Sequence, residues 1–415
     1  MLIETTIILN IKILIFRIEL LKTLSVVIKK KFINYFSKRN CTLIGVGPMS
    51  VNCVDSVLEL SNEYNAPIIL IASRRQIDSE QFNGGYVNNW TTSEFAKYVR
   101  NKDKGKNIIL ARDHGGPWQN NNEIEQKMSL DCAMKSAKDS FKSDIEAGIE
   151  ILHIDPSIDI NGPISKDKLM DRLFELYEYC WDYAKKSNKE IAFEIGTEEQ
   201  SGSTNTPDDL NETLHLIKKF CNKNKIPFPT FVVIQTGTKV METRNIGTFD
   251  SPLRVENEIA AEIQVPKMIE ICNNFNVFMK EHNADYLSDQ SLHWHPRLGI
   301  HAANVAPEFG VAETNAFLQI LENNNLGSLA LKFIELSYKS KKWYKWMLPN
   351  STASVREKAI ISGHYIFSTP QCIELKKEAS LNLKKKGIDL DTYLCDQIKK
   401  SIFRYMYNFR LTEIA

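Results

Sequence analysis

The chain has 415 residues, of which 43% are hydrophobic, 25% charged and 10% aromatic, and its formal net charge is +1. This balance is ordinary for a globular protein, and it argues against nucleic acid or an acidic surface as a partner. Eight cysteines are spread along the chain without a C-x-x-C pair. They are interpreted as reduced core thiols of a cytoplasmic protein, with Cys132, Cys180 and Cys272 in apolar patterns.

The N-terminal segment Met1–Leu21 is strongly apolar, but its longest run without a charge is seven residues. The interrupting charges are Glu4, Lys12, Arg17 and Glu19. A charge-free run of that length is too short to cross a membrane, and no small-residue cleavage site follows the segment. We expect an additional amphipathic helix or an upstream start codon, and a folded domain that begins near Lys22.

From residue 41, eight short apolar segments alternate with helical patterns. The predicted strands are Thr42–Val46, Ile68–Ser73, Ile108–Asp113, Ile149–Asp155, Ile191–Gly196, Phe231–Thr236, Val277–Lys280 and Leu298–Ala302. The clearest predicted helices are Asp131–Ala147, Lys166–Lys186, Asp208–Phe220 and Glu256–Asn274. This alternation predicts a (β/α)8 TIM barrel over residues 22–326. A doubly wound open sheet is less favoured because no G-x-G-x-x-G follows the first strand.

Beyond Gly327 the strand patterns give way to Lys-rich helical segments. Residues 327–415 are therefore predicted to form a helical C-terminal extension that packs on the barrel or serves in assembly. Within it, Lys339–Trp346 interleaves basic and aromatic residues. A solvated helix with an aromatic inner face explains this pattern better than an RNA-binding patch.

The third predicted strand ends in Asp113 and His114, and Gly115-Gly116-Pro117 follows at once. In α/β folds the carboxyl ends of the strands are where chemistry is done. An imidazole can bind a metal, and a neighbouring carboxylate can move a proton on a metal-polarised substrate. The alternative is an Asp-His pair that only caps a turn.

Other strand ends carry further candidates. Gly84 and Gly85 allow close backbone approach, and their amides suit phosphate or sugar hydroxyls, although a tight turn explains them equally well. Asp155 and Glu198 follow the fourth and fifth strands as candidate functional carboxylates. Lys239 follows the sixth strand and suits a phosphate or carboxylate group.

The histidines fall into two groups. His282 and His301 lie at or near the ends of the seventh and eighth predicted strands and are candidate ligands. The remaining ones are interpreted as packing, surface or structural residues: His153, His215, His293, His295 and His364.

Taken together, the residues from Lys22 to the C-terminus resemble the GatZ/KbaZ family, the non-catalytic subunit of class II D-tagatose-bisphosphate aldolase. The matching segments are Gln81–Tyr86, Ile108–Trp118, Leu152–Asp155, Ile195–Glu198, Val233–Gly237, His282–Tyr286 and Trp343–Tyr344. Each segment alone is weak, but their combination is specific.

The resemblance to the wider class II aldolase superfamily implies a barrel, a zinc ion and a ketose phosphate. It implies that Asp113 is the catalytic acid/base and that His114 and His301 bind the metal. Aldolases carry a further ligand histidine in a Gly-Thr-x-His-Gly turn, where this chain has Lys239. A protonated lysine cannot bind zinc, so the third ligand is expected from His282 or Glu198.

The function implied is metal-assisted aldol cleavage of a ketose (bis)phosphate such as tagatose 1,6-bisphosphate. Asp113 and Glu198 would be catalytic, the metal ligands would be His114, His282 and His301, and the substrate-binding residues would be Gln81, Gly84, Gly85, Asp155, Lys239 and Asn304. One alternative is a metal-dependent 4-epimerase of a ketose or keto-uronate. The other is an accessory subunit that stabilises a separate catalytic aldolase subunit. An oligomer that contacts neither nucleic acid nor membrane is expected in each case.

Overall fold

The computed structural model describes residues 27–197, 206–251, 253 and 259–412. Eight parallel strands close into a barrel in chain order, and the eighth strand pairs with the first through Leu43 and Ala302. The strands are β1 (Leu43–Val46), β2 (Ile68–Ser73), β3 (Ile108–Gly115), β4 (Ile151–Ile154), β5 (Ala192–Ile195), β6 (Phe231–Val233), β7 (Phe278–Glu281) and β8 (Ala302–Val305). The predicted (β/α)8 barrel is confirmed.

Helices alternate with the strands. They are α1 (Val27–Phe36), α2 (Val51–Tyr64), α3 (Thr92–Lys102), α4 (Asn121–Glu125), α5 (Leu130–Ala147), α6 (Lys166–Lys186), α7 (Pro207–Asn224), α8 (Ala261–Phe275), α9 (Asp289–Leu298), α10 (Pro307–Asn323), α11 (Gly327–Lys339), α12 (Val355–Ser362), α13 (Pro370–Lys384) and α14 (Leu390–Asn408). Helix α5 shows why the sequence predicts such bounds. The Ser129 hydroxyl accepts the Cys132 amide at its start, and Gly148 ends it at a φ of 82°.

The eighth strand differs from its prediction over Leu298–Ala302. Helix α9 continues through Leu298, and Gly299 ends it at a φ of 88°, in the left-handed region. The strand therefore begins only at Ala302. As a consequence, His301 precedes β8 and lies at the amino-terminal end of the barrel.

Helix α1 covers that amino-terminal end. The Phe32 ring lies 5.3 Å from the ring of Phe231 and 6.5 Å from that of Phe278, the first residues of β6 and β7. The Lys29 ammonium donates to the Asn276 carbonyl at 2.6 Å. The predicted N-terminal extension, residues 1–21, lies outside the described residues.

The C-terminal helices pack on the barrel. Helix α14 contributes Ile402, Tyr405 and Met406 to the same hydrophobic core as the strands. A second core cluster joins α10 to the helices that follow it, from Ala316 to Leu394. This confirms a C-terminal helical region, while the boundary between residues 326 and 327 stays a prediction.

The solvated helix predicted over Lys339–Trp346 is wrong. Helix α11 ends at Lys339, and Lys341 adopts a left-handed backbone with a φ of 57°. The indole N–H of Trp343 donates back to the Tyr338 carbonyl at 2.9 Å, and the two rings stack. This aromatic packing turns the chain into a loop at the carboxyl end of the barrel.

All eight cysteines are free, and seven are buried, as expected of core thiols. Cys132 is the exception, because it lies exposed in the first turn of α5. Among the described residues, none of the helices has the length and apolarity needed to cross a membrane.

Candidate metal centre

The ends of four strands bring three imidazoles and two carboxylates together inside the carboxyl end of the barrel. Asp113 and His114 end β3, His153 lies in β4, Glu194 in β5, and His282 follows β7. The imidazole centroids of the three histidines lie 5.1–5.2 Å from one another. The possible ligand atoms of these three histidines lie within 4.8 Å of one another. The same distance holds within a second, overlapping group, which consists of Asp113, His153, Glu194 and His282.

A local irregularity in β3 aims His114 at this cluster. The pairing of β3 with β4 shifts register between Arg112 and Gly115, and His114 has a left-handed φ of 46°. Such a bulge re-aims a side chain at the end of a strand. The His114 amide donates to Nδ1 of His153 at 3.1 Å. The bulge is therefore tied directly to a second member of the cluster.

The two glycines after His114 are required by close backbone packing. A Cβ atom at Gly116 would lie 2.0 Å from the Asp155 carbonyl oxygen, and one at Gly115 would lie 2.4 Å from the Phe141 ring. Only glycine lets β3 approach the end of β4 so closely. This explains the Asp-His-Gly-Gly sequence in structural terms.

Asp155 fixes the orientation of His114. Its Oδ2 lies 2.5 Å from Nδ1 of His114 and accepts from Nε2 of Gln119 at 3.0 Å. Its Oδ1 accepts from the Ser157 hydroxyl at 2.6 Å. The other His114 nitrogen, Nε2, then lies 3.9 Å from Oδ2 of Asp113. A histidine held by a carboxylate on one nitrogen and free on the other is the usual arrangement of a metal ligand.

A buried ion pair holds the opposite side of the cluster. Nζ of Lys280 lies 2.6 Å from Oε2 of Glu194, and both side chains are only 1% exposed. The other oxygen, Oε1, lies 3.1 Å from Nε2 of His282 and 3.8 Å from Nδ1 of His153. Glu194 thus connects two imidazoles to one ammonium group.

Asp113 lies at the centre of the group. Its Oδ1 is 3.7 Å from Nδ1 of His153 and 3.9 Å from Nε2 of His282. The same oxygen accepts from Nδ2 of Asn304 at 3.3 Å. Oδ1 of Asn304 is buried against Gly45 and has no hydrogen-bond partner among the described residues.

These contacts set the protonation states. Burial alone would raise the pKa of Asp113, but the His114 charge and the His153 hydrogen bond outweigh it and hold the pKa well below its usual range. Burial would lower the pKa of His114, but Asp113 and Asp155 raise it to about 9. Burial lowers the pKa of His282 to about 4. The Lys280 ammonium overcomes burial and lowers the pKa of Glu194 to about 2.

At neutral pH the cluster therefore carries excess negative charge. The carboxylates of Asp113, Asp155 and Glu194 supply three negative charges, against two positive ones from Lys280 and protonated His114. Binding of a metal requires His114 to lose its proton, which leaves an excess of two negative charges that a divalent cation would balance. Imidazole with carboxylate is also a donor set that suits Zn2+. The residues present thus fit a divalent metal held by His114, His153 and His282.

The structure brings only some of the predicted site residues together. Asp113, His114, His282, Asp155 and Asn304 lie at the cluster. Asp155 contacts His114 and its neighbours, so it acts on the site through that histidine. Glu198 lies outside the described residues.

His301 is a correction. Its ring packs edge-on against Phe36 at 5.2 Å and lies 4.8 Å from that of Phe278. Its Nδ1 accepts from the Met279 amide at 3.2 Å. Because it precedes β8, it lies at the opposite end of the barrel and cannot share a metal with His114. His153 takes that place in the cluster.

Three predicted substrate residues also differ from expectation. The amides of Gly84 and Gly85 donate to the carbonyls of Ser79 and Trp90, so they are not available to a phosphate. The side chain of Gln81 is exposed and donates to Oδ2 of Asp139 at 3.4 Å. The glycines are needed for the turn itself, since Gly84 has a φ of 69°.

Lys239 is half-buried and begins a turn beside the cluster. It precedes a two-stranded hairpin, Val240–Met241 with Arg244–Asn245. The neighbouring Thr238 hydroxyl donates to the His282 carbonyl at 2.6 Å. The loop therefore supports the backbone that carries His282.

The places of Glu194, Lys280 and His153 in this cluster were not predicted from the sequence. One signal was available, since buried charged residues stand beside apolar ones in both strands: Glu194 in β5, and Lys280 and Glu281 in β7. A charge placed there must be paired when it is buried. The partners, however, come from β5 and β7, which are separated in the barrel by β6, and only the folded barrel brings their side chains together.

No model of a known protein family matches the sequence. The fold is similar to a probable tagatose 6-phosphate kinase from Sinorhizobium meliloti 1021, with a TM-score of 0.68, 16% identity, and coverage of 88% of this chain and 100% of the other. It is also similar to fructose-bisphosphate aldolase from Campylobacter jejuni, with a TM-score of 0.54, 11% identity, and coverage of 92% and 94%. A fructuronate-tagaturonate epimerase from Cohnella laeviribosi gives a TM-score of 0.54, 10% identity, and coverage of 89% and 81%. At these identities the similarity establishes the barrel fold.

Proposed function

We propose that this chain catalyses metal-assisted aldol cleavage of a ketose phosphate. The observation that carries the proposal is the position of Asp113. Its carboxylate oxygens lie 3.7–3.9 Å from a nitrogen of each of three imidazoles that can hold one cation. A base beside a metal site is what carbonyl-directed proton transfer requires.

The proposed roles follow from the contacts. His114, His153 and His282 hold the metal, which supplies polarisation of the substrate carbonyl when bound. Asp113, ionised because its pKa is held low, accepts and returns the proton that accompanies cleavage of the carbon–carbon bond. Asn304 holds Asp113 in place, and Asp155 holds His114. Glu198 remains a proposed second proton carrier, and Lys239 a proposed contact for an anionic substrate group.

The choice of substrate rests on similarity. The names of two structural neighbours refer to tagatose 6-phosphate and fructose bisphosphate. The resemblance to the GatZ/KbaZ family also implies a tagatose bisphosphate. A ketose (bis)phosphate in carbohydrate metabolism is therefore the proposed substrate class, with Zn2+ as the proposed metal.

A second candidate is a 4-epimerase, favoured by the similarity to the fructuronate-tagaturonate epimerase. Cleavage, rotation of the carbonyl product and re-addition would invert one carbon with the same groups. The accessory-subunit alternative draws its support from Lys239, which stands where aldolases carry a ligand histidine.

The test is turnover by Asp113→Asn. The amide keeps the shape of the side chain but cannot take a proton, so release of triose phosphate should fall by ~10²–10⁴-fold. Metal content should remain that of the wild type. Asp182→Asn, on the exposed face of α6, is the matched control and should retain full activity.

Each assay is run with the chain alone and with a catalytic aldolase subunit, on ketose bisphosphates and on keto-uronates. Full activity of Asp113→Asn would contradict the catalytic assignment. Formation of a C4 epimer without release of triose would establish the epimerase. Activity that needs the added subunit and ignores the substitution would establish the accessory role.

A further inference from the structure

A polar cavity of about 460 Å³ opens at the carboxyl end of the barrel, between the turn after β2 and the loop that follows α11. The turn contributes Arg74, Arg75, Gly84 and Gly85, and the loop contributes Lys341, Lys342 and Lys345. This volume lies in the range of small-ligand sites. The cavity therefore has the size of a binding site.

Its walls carry unpaired positive charge. Among the described residues, no carboxylate pairs with Arg75, Lys341, Lys342 or Lys345, and Glu125 is the one acidic residue that lines the cavity. Four cations against one exposed carboxylate leave three positive charges in excess. Exposed lysine side chains normally extend separately into solvent, but here three of them line the same cavity.

Arg74 also lines the cavity, but unlike the four cations named above it is paired with carboxylates. Its guanidinium is bound to Oδ2 of Asp78 at 3.1 Å and to Oε1 of Glu123 at 2.6 Å. It also donates to the Gly116 carbonyl at 3.1 Å. Arg74 is thus structural, and it ties the cavity wall to the glycine turn that follows His114.

Arg75 supplies the clearest indication of a ligand. Its Nε is buried and has no hydrogen-bond partner among the described residues. A buried N–H without an acceptor is costly, so native structures almost always provide one. The Arg75 backbone is held by the Tyr86 amide at 3.1 Å, so the guanidinium is presented from a fixed turn.

The loop side is also held in place. The ring of Tyr86 lies 4.8 Å from that of Tyr365, which joins the turn after β2 to the C-terminal region. Nζ of Lys345 lies 4.6 Å from the Trp346 ring centroid and 5.3 Å from that of Tyr365. These aromatic contacts position a cation at the cavity while leaving its N–H groups unpaired.

We propose that this cavity binds a phosphate monoester group of the substrate through Arg75, Lys341, Lys342 and Lys345. The assignment rests on the proposed function for the identity of the molecule, and it places the phosphate group of that molecule between the turn after β2 and the loop after α11. An excess of three positive charges suits a phosphate dianion better than a single carboxylate. Arginine contributes directed N–H donors, and the lysines contribute point charges.

The test is a calorimetric titration of the full-length protein with fructose 6-phosphate, inorganic phosphate, glucuronate and fructose. Two variants remove the proposed contacts, Arg75→Met and Lys341→Gln/Lys342→Gln. The matched control is Lys384→Gln/Lys385→Gln, which removes two exposed charges at the end of α13. Circular dichroism verifies that each variant is folded.

The Kd for fructose 6-phosphate should rise about tenfold or more in each test variant and should not change in the control. Binding that is equal in wild type and Arg75→Met, or no binding of either phosphate at millimolar concentration, would overturn the proposal. If glucuronate binds more tightly than fructose 6-phosphate, and the same variants weaken it, the cavity binds a carboxylate group and the proposal of a phosphate site is wrong. The titration measures binding and does not depend on turnover. A failed aldolase assay would therefore contradict the proposed function without contradicting the proposed phosphate site.

Discussion

Replacing Lys280 by Met is expected to destabilise the protein, because the substitution leaves the buried carboxylate of Glu194 without its ammonium partner. Lys280 and Glu194 form a 2.6 Å ion pair with both side chains 1% exposed. Met fills similar volume but leaves a buried carboxylate that faces only the imidazoles of His282 and His153. Breaking a buried pair on one side costs about 3–5 kcal/mol.

The pKa of Glu194 gives an independent magnitude. It lies at about 2 in the folded protein, against an ordinary value of 4.5, and this difference corresponds to roughly 3 kcal/mol at neutral pH. Because the folded-state pKa is depressed, the stabilisation is present above the ordinary pKa. It is lost as the pH falls from about 4.5 through about 2. The cost of Lys280→Met should shrink over that range.

The assay is urea denaturation followed by circular dichroism at several pH values. Lys138→Met is the matched control, since Lys138 and Glu175 are also 2.6 Å apart but are 27% and 52% exposed. A surface pair contributes about 0–1 kcal/mol. The double variant Lys280→Met/Glu194→Gln should recover most of the loss. Equal effects of Lys280→Met and the control, or no recovery in the double variant, would refute the reasoning.

Two further outcomes are expected. Metal affinity should rise with pH from about 6.5 to about 9, because His114, with its pKa raised to about 9, must lose a proton to bind a metal; competition with a chelator at each pH measures this, and a flat profile would contradict it. Deleting residues 1–21 should leave folding and activity intact, because α1 and every site candidate lie beyond them; an insoluble or much less stable truncated chain would show the opposite.

Most of the barrel could be predicted from the sequence because apolar runs and helical periodicity are local signals. The eighth strand could not, because the apolar residues around Gly299 look the same in a helix end as in a strand. The resulting shift of about four residues moved His301 from one end of the barrel to the other. Local composition does not distinguish these outcomes, whereas pairing of β8 with β1 does.

The site could be predicted only where one segment carries it. Asp113 and His114 lie at a strand end, directly before a glycine turn, so the local sequence alone predicts a catalytic or metal-binding site. His153 is buried and accepts a hydrogen bond, as expected of a packed histidine, but closure of the barrel also places it beside Asp113. Glu194 and Lys280 lie in β5 and β7, and the sequence of neither strand indicates that these two residues form an ion pair.

The same limit applies to the lysine-rich loop after α11. The interleaved aromatic residues indicated a helix face, yet they pack against one another and against Tyr338 in the last turn of α11. Their contacts turn Lys341 and Lys342 toward a cavity on the barrel rim. A pattern read as a solvated surface thus became part of a candidate site through tertiary packing.

The central claim is that His114, His153 and His282 bind one divalent metal. The most direct measurement is the metal content of the purified protein after zinc addition and desalting, by elemental analysis. The wild type should retain about one zinc per chain, His114→Ala and His153→Leu should lose it, and His301→Leu should keep it. A wild type without metal, or an equal loss in His301→Leu, would contradict the account.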